Sequence, residues 1–247
     1  MIRTTLNMTR LYKENDFRDN CGFGLIASID GVQSRKIVQD SIDALVSMTH
    51  RGGIGSDGKT GDGCGLLVDV NSDFYIKTIQ KEQKIKLQNR FAVGQLFYFQ
   101  SISKLIPQID RILSKEGLTL ITHREVPTDK SILGNIALDC LPNIYQLFIE
   151  SNDKNLSEDK FQTAILQARK FIEEIYLDDE KLYFCSMSSK TIIYKGLMLP
   201  RDINNFYLDL KSKHFKSSIC VFHQRFSTNT SPRWHLAQPF RLLAHNG

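Results

Sequence analysis

The segment spanning residues 50–65 constrains the fold most, because seven of its residues are glycine. Glycine loses more conformational freedom on folding than any other residue, so we expect a loop here instead of a regular helix or strand. Residues 34–48 before it place apolar side chains at helical spacing behind Ser34, a suitable N-cap, and residues 66–68 after it are apolar. The pattern predicts a helix, a glycine-rich loop and a strand in that order.

Short apolar strands and amphipathic helices alternate along the rest of the chain. Their lengths and spacing predict one α+β domain with layered helices and sheets, without an internal repeat or a low-complexity linker. Ser157 is expected to cap the last long helix. The predicted helices are 72–83, 101–116 and 160–176, and the further predicted strands are 21–29, 91–99, 118–126, 145–150, 182–186, 191–194 and 218–222.

The composition argues against several classes of protein. Of the 247 residues 41% are hydrophobic and 24% are charged, which is typical of a soluble globular chain with a substantial core. The formal net charge is +5, but the basic residues are scattered, so we expect no nucleic-acid partner. No apolar run is long enough to cross a membrane. Residues 1–20 are polar and charged with no apolar central region, unlike a secretory signal.

The cysteines point to a reducing compartment, so the expected location is the cytoplasm. They are odd in number, and no two lie close enough in sequence for a metal-binding or redox pair. We therefore expect neither a disulfide framework nor a metal site. The five are Cys21, Cys64, Cys140, Cys185 and Cys220.

Cys21 is a candidate nucleophile. A cysteine that opens an apolar strand is usually a small buried hydrophobe, but here Gly22 and Gly24 surround it with a backbone that a ligand can approach closely. If cleavage made Cys21 the first residue, its α-amine, with an ordinary pKa near ~7.7–8.0, would accept the thiol proton. The resulting thiolate is the reactive form. Residues 1–20 would then be a propeptide that keeps the enzyme silent.

Three further features have both a functional and a plainer interpretation. The glycine-rich run 61–65 lacks the Gly-Lys-Ser/Thr of a phosphate loop and precedes a strand, so nucleotide binding is not favoured. The planar guanidinium of Arg225 suits a carboxylate, although many loop arginines are merely solvated. The amide of Asn246 beside the N–H of Gly247 would make an oxyanion-binding pair, although Asn-Gly alone is commonly a turn.

Taken together, these segments resemble the class II glutamine amidotransferase domain that begins the large subunit of glutamate synthases. The resemblance extends over nearly the whole chain from residue 20 onward, and it is the ordered combination that is specific. The motifs are RDNCGFG at 18–24, HRG at 50–52, KTGDG at 59–63, HQRFSTNT at 223–230, PFR at 239–241 and HNG at 245–247.

The resemblance implies an N-terminal nucleophile hydrolase fold, a four-layer αββα sandwich. It implies a propeptide at 1–20 and an amidotransferase domain at 21–247 that is truncated at its C-terminus, with an acidic ligand for the substrate amine beyond residue 247. It also implies the roles of individual residues. Cys21 would attack the glutamine amide, Asn246 and Gly247 would hold the oxyanion, Arg225 and Thr228 would bind the substrate carboxylate, and Arg51 and Gly52 would line the glutamine pocket.

In the whole enzyme, the resemblance implies that ammonia passes through a tunnel to 2-oxoglutarate at an FMN site. A 3Fe–4S iron–sulfur cluster and a small NADPH-oxidising subunit with FAD would supply electrons, and none of these cofactors is expected in this fragment. Residues 57–60, 126–128 and 132–134 favour the NADPH-dependent bacterial type. A ferredoxin-dependent type, located in the plastid stroma, stays open.

Two other functions stay open beside this one. The chain could belong to another class II amidotransferase, although the long insert between residues 70 and 218 argues against the shorter domains of that kind. It could also be a non-catalytic domain that only binds glutamine, although its motifs are intact.

Overall fold

Two antiparallel sheets form the framework of the chain. The computed structural model describes residues 22–176, 181–226 and 231–240. In these residues each sheet has four strands. The first sheet contains β1 (Gly22–Ala27), β2 (Cys64–Asp69), β7 (Thr191–Gly196) and β8 (Ile219–Gln224); the second contains β3 (Ala92–Tyr98), β4 (Leu118–Glu125), β5 (Asn143–Ser151) and β6 (Leu182–Ser188).

The strand order in each sheet departs from the order along the chain. In the first sheet it is β1-β8-β2-β7, and in the second it is β4-β5-β3-β6. The first strand of the described chain therefore pairs with the last one, with Gly22 opposite Gln224. This pairing places the first described residues, at the edge of the first sheet, beside the end of β8.

Six α-helices flank the sheets in the described residues, and three of them begin with a side-chain N-cap hydrogen bond. The Ser34 hydroxyl accepts a hydrogen bond from the N–H of Ile37, and Ser157 accepts one from Lys160, so both predicted caps are confirmed. The helices are α1 (Arg35–Ser47), α2 (Ser72–Gln83), α3 (Ile102–Lys115), α4 (Asn135–Asp139), α5 (Glu158–Ile175) and α6 (Ile203–Phe206).

The second sheet is buried on both faces. Strand β5 shows this most clearly, because Leu147 and Ile149 enter a core shared with α3 and α5, whereas Ile144 and Phe148 enter a larger core shared with the first sheet, α1 and α2. Successive residues of a strand point to opposite faces. A strand with both faces covered reads as a largely apolar run, and residues 144–149 of this strand are apolar except for Gln146.

All eight predicted strands and the four predicted helices are confirmed, with small shifts at their ends. The predicted strand 21–29 begins at Cys21, which lies outside the described residues, and the observed strand ends at Ala27. The short helices α4 and α6 were not predicted. They contain five and four residues, which is too few for a helical repeat of apolar side chains to be visible.

A buried polar network connects the two sheets. Arg124 of β4 forms an ion pair with Asp209, and both side chains are almost fully buried. The Nε of Arg124 donates to Gln146 at 2.9 Å, and the amide of Gln146 donates to Gln95 at 2.9 Å. Gln95 in turn donates to the carbonyl oxygen of Ile193 in the first sheet at 2.7 Å. Such a network is stabilising only when every member is bonded.

We expect Asp209→Asn to destabilise the protein by roughly 3 kcal/mol, because it leaves the buried guanidinium of Arg124 without its main counter-charge. Asp40→Asn is the matched control, since Asp40 pairs with Lys36 on an exposed helix surface, where loss of a pair costs about 0–1 kcal/mol. Urea unfolding of both variants measures the difference. Equal losses in the two variants would contradict a central role for the network.

Candidate active site

The beginning of β1 is the centre of the candidate site. Gly22 lies opposite Gln224 of β8, and Gln224 lies opposite Cys64 of β2 on its other side. Arg225 follows Gln224 directly, so it leaves the sheet beside the first residues of β1. Cys21, which precedes Gly22 in sequence, lies outside the described residues.

Arg51 packs against the backbone at the beginning of β1. It ends a short 3₁₀ turn, Thr49–Arg51, that follows α1. A Cβ atom on Gly22 would lie 2.9 Å from the Sδ of Met48 and 3.2 Å from the Cβ of Arg51. A larger residue at 22 would therefore displace the turn. The residue after Cys21 is glycine for a steric reason, because the turn carrying Arg51 packs directly against it.

The side chain of Gln224 connects Gly52 to Arg225. A Cβ atom on Gly52 would lie only 1.7 Å from the Nε2 of Gln224, so the contact exists only because residue 52 has no side chain. The same Nε2 donates to the carbonyl oxygen of Arg225 at 3.3 Å. The Oε1 of Gln224 is buried and has no hydrogen-bond partner in the described part of the chain.

Arg225 is held by the second half of the glycine-rich loop. Its backbone N–H donates to the carbonyl oxygen of Gly63 at 2.8 Å, and its Nη1 donates to the carbonyl oxygen of Asp62 at 3.3 Å. A Cβ atom on Gly53 would lie 2.4 Å from the Oδ2 of Asp62. Close contacts of glycines 52 and 53 thus fix both the strand end and the loop beside Arg225.

Asp57 and Thr60 dock the tip of this loop onto α4. The carboxylate of Asp57 accepts from the Thr60 hydroxyl at 2.6 Å and from three backbone N–H groups, one of which belongs to Ile136 of α4. The Thr60 oxygen accepts from the N–H of Ala137 at 3.2 Å. The Thr60 hydroxyl, together with these N–H groups, holds the pKa of Asp57 well below its ordinary value.

The structure thus brings three of the predicted site residues together, namely Arg51, Gly52 and Arg225. The other four, Cys21, Thr228, Asn246 and Gly247, lie outside the described residues, and their roles stay predictions. Gln224 was missed. The only signal for it is its place beside Arg225 in the quoted motif HQRFSTNT, and its contact with Gly52 depends on the fold.

The four described cysteines are poor candidates for a nucleophile. Cys64, Cys185 and Cys220 are buried, and burial raises the pKa of the last two thiols to about 12 and that of Cys64 further. Burial raises the pKa of the partly exposed Cys140 as well. A thiol needs a lowered pKa to react as a thiolate near neutral pH. None of these four is in such an environment.

The described residues offer neither a cluster of metal ligands nor a membrane-spanning helix. They contain no group of three or more histidine, cysteine, aspartate or glutamate side chains placed to hold a metal ion. Of the helices in this part of the chain, none is long and apolar enough to cross a membrane.

Comparison with known proteins assigns residues 21–247 to the family described as glutamine amidotransferases class-II. The chain is 39% identical over 238 residues to ferredoxin-dependent glutamate synthase 1, chloroplastic/mitochondrial, of Arabidopsis thaliana, a match that covers 93% of this chain and 14% of the plant protein. It is 37% identical over 250 residues to the glutamate synthase [NADPH] large chain of Azospirillum brasilense, covering 98% of this chain and 16% of that protein.

A third relative, the glutamate synthase [NADPH] large chain of Bacillus subtilis, is 36% identical over 241 residues, covering 96% of this chain and 16% of the relative. The chain therefore spans 14–16% of the length of these relatives. Relatives named for NADPH and for ferredoxin match at similar identity, so overall identity does not distinguish the two electron donors.

We expect Asp57→Ala to release the loop tip from α4, because the substitution removes the acceptor for four hydrogen bonds. Hydrogen exchange should accelerate at Thr60 and at Ile136 while the exchange of β2 is unchanged. Because the folded pKa of Asp57 lies below the ordinary 3.8, the stabilisation from this docking is fully present above about pH 3.8 and is lost as the pH falls from there through the folded pKa.

Asp129→Ala is the matched control. Asp129 makes the same kind of turn, accepting from the N–H and hydroxyl of Ser131, and these bonds also hold its pKa below the ordinary value, but they stay within one loop. If Asp129→Ala accelerated exchange at Ile136 as much as Asp57→Ala does, the docking role of Asp57 would be wrong.

Proposed function

Since this chain belongs to the class II glutamine amidotransferases, we propose that it hydrolyses glutamine to glutamate and ammonia with Cys21 as the nucleophile. The observation that carries this proposal is the convergence at the beginning of β1. Gly22, the residue after Cys21, lies opposite Gln224, and Gln224 contacts Gly52 and adjoins Arg225. Arg225, the proposed ligand of the substrate carboxylate, and the turn proposed to line the pocket thus lie beside the strand that follows Cys21 in sequence.

The proposed reaction starts with removal of residues 1–20, which converts the peptide nitrogen of Cys21 into a free amine. The amine takes the proton of the Cys21 thiol, and the thiolate attacks the side-chain amide carbon of glutamine. The amide oxygen becomes an oxyanion, which the Asn246 amide and the Gly247 N–H stabilise by hydrogen bonds. The C–N bond then breaks, the nitrogen takes the proton back from the amine, and ammonia leaves a thioester on Cys21.

Water completes the reaction. The free amine of Cys21 removes a proton from a water molecule, the water oxygen attacks the thioester carbon, and the C–S bond breaks to release glutamate and the thiol. Throughout, Arg225 would pair with the α-carboxylate of the substrate, assisted by Thr228, because a guanidinium fork matches a carboxylate in shape and charge. Arg51 and Gly52 would close the other side of the pocket.

The proposed domain limits and layers agree with this reaction. The family match begins at Cys21, as expected if residues 1–20 are a propeptide followed by an amidotransferase domain from residue 21 onward. A four-layer αββα sandwich is supported by the core that the two sheets share and by the packing of α3 and α5 on the second sheet. The outer layer on the first sheet would be formed by α1, which packs on β1 and β8.

The wider proposal is that this chain is part of a glutamate synthase, in which the ammonia reaches 2-oxoglutarate at an FMN site distant from Cys21. The proposed location of that enzyme is the cytoplasm. All three relatives described above are named glutamate synthases. FMN, an iron–sulfur cluster and FAD on a small subunit would be held outside the described residues, which contain no metal-binding group. The preference for NADPH rests on residues 57–60, 126–128 and 132–134 and stays a prediction; with ferredoxin the location would be the plastid stroma.

We expect Cys21→Ala to abolish glutamine hydrolysis, because burial raises the thiol pKa of each of the four described cysteines. Cys140→Ala is the control, since Cys140 is the most exposed of the others and its loss should leave the rate unchanged. Ammonia release from glutamine measures the activity of both variants. The mass of the active wild-type protein should be that of a chain whose first residue is Cys21. Wild-type activity in Cys21→Ala would contradict the proposal.

We expect Gly52→Ala to lower kcat/KM for glutamine by roughly 10²-fold, because its Cβ would collide with Gln224 and move Arg51 and Arg225 by about 1 Å. Gly94→Ala is the matched control, since a Cβ atom there would meet its neighbours at ordinary distances of 3.5 Å or more. Thermal unfolding checks that both variants are folded. Equal kcat/KM in the two variants would show that the close contact at Gly52 has no part in the site.

A further inference from the structure

Residues 233–240, here named the crossing segment, lie across β2 and β7 on a track of three glycines. A Cβ atom on Gly196 would lie 2.3 Å from the ring of Trp234, one on Gly63 would lie 2.9 Å from the Cβ of Ala237, and one on Gly65 would lie 2.5 Å from the carbonyl oxygen of Gln238. Such contacts are too close for any larger residue at the three positions. The sheet surface is therefore shaped to receive this segment.

Lys195 connects the crossing segment to both sheets by hydrogen bonds. Lys195 of β7 is fully buried, and its ammonium donates to the carbonyl oxygen of His235 at 2.9 Å and to the hydroxyl of Tyr183 in β6 at 3.1 Å. It lies 4.4 Å from the ring centroid of Phe240 and 4.6 Å from that of Tyr183. Both rings present their faces to the cation, a favourable arrangement when the cation is desolvated.

Lys195 is costly for the stability of the fold. In the described part of the chain no carboxylate lies within ion-pair distance of its ammonium, and burial lowers its pKa to about 8. Because this value is below the ordinary 10.5, the charged lysine disfavours folding fully below about pH 8, and the cost diminishes as the pH rises towards 10.5. An apolar residue would suit this position better if stability were its only purpose.

The crossing segment also adjoins the candidate active site. Ala237 packs on Gly63, whose carbonyl oxygen accepts the backbone N–H of Arg225. The segment ends at Phe240, six residues before Asn246 in the sequence. Fixing the crossing segment therefore fixes the neighbour of Arg225 and the starting point of the residues that lead to the predicted oxyanion pair.

We propose that Lys195 is a positioning residue for glutamine hydrolysis, which acts by anchoring the crossing segment to β7 and β6. The inference rests on the proposed function. It assigns the buried cation to the alignment of the groups around the reacting amide and gives it no role in proton transfer or in activation of the Cys21 thiol. Removing it should spare the nucleophile and impair the stabilisation of the reaction's transition state.

The test compares Lys195→Met with Lys190→Met, a lysine on the exposed turn before β7. Trp234 is the one tryptophan in the 247-residue chain and is almost fully buried, so its fluorescence reports directly on the crossing segment. In Lys195→Met its emission should move to longer wavelength, and acrylamide should quench it more strongly. Lys190→Met should match the wild type in both measurements.

Enzyme kinetics complete the test in the chain with residues 1–20 removed. We expect Lys195→Met to lower kcat for glutamine at least about 10-fold, since one lost oxyanion donor costs about 10²–10³, with little change in KM. The rate at which iodoacetamide alkylates Cys21 should stay as in the wild type. Phe240→Leu, which keeps the buried lysine, should show the same changes in smaller degree and serves if Lys195→Met fails to fold.

Three results would overturn the inference. They are an unchanged Trp234 environment in the variants, an exposed Trp234 with wild-type kcat, and a raised KM with kcat unchanged. Loss of Cys21 alkylation together with loss of activity would also contradict it, because the nucleophile itself would then be affected. None of these results bears on the proposed function, which is tested separately by Cys21→Ala and fails if that variant retains activity.

Discussion

The contact between Gln224 and the bare backbone of Gly52 is the constraint on which the arrangement of the site depends. Gln224 occupies the space that a side chain at residue 52 would fill, and it pairs across the sheet with Gly22. Three separate parts of the sequence therefore meet without a gap: the first strand, the turn after α1 and the end of β8. Protein interiors are close-packed, so a change in any one of these parts is transmitted to the other two.

This constraint also explains why glycine is concentrated around the site. Gly22, Gly52, Gly63 and Gly65 each lie against another segment at a distance that excludes a Cβ atom. The glycines cost conformational entropy, and in return side chains and backbone of other segments can approach them closely. The resulting surface holds Arg225 on one side and the crossing segment on the other. Packing at these glycines therefore links Arg225 to the crossing segment, independently of any catalytic role of either.

Much of the fold followed from local patterns in the sequence, because its long elements have clear periodicity and ordinary caps. Ser34 and Ser157 mark helix starts, and the two-sided burial of β5 appears as an apolar run over residues 144–149 that only Gln146 interrupts. The short helix α4 was missed, since it is stabilised by Asp57 and Thr60 from a distant loop. Gln224 and Lys195 were missed for a related reason: their partners are remote in sequence and are brought close only by strand order.

The central claim is that Cys21 becomes reactive when cleavage gives it a free amine. The most direct measurement compares the rate of glutamine hydrolysis of the chain that begins at Cys21 with that of the same chain carrying one extra residue before it. Loss of a general base typically costs about 10²–10⁴ in rate, so the account predicts a loss of at least about 10²-fold in the extended chain. Equal rates in the two chains would contradict it.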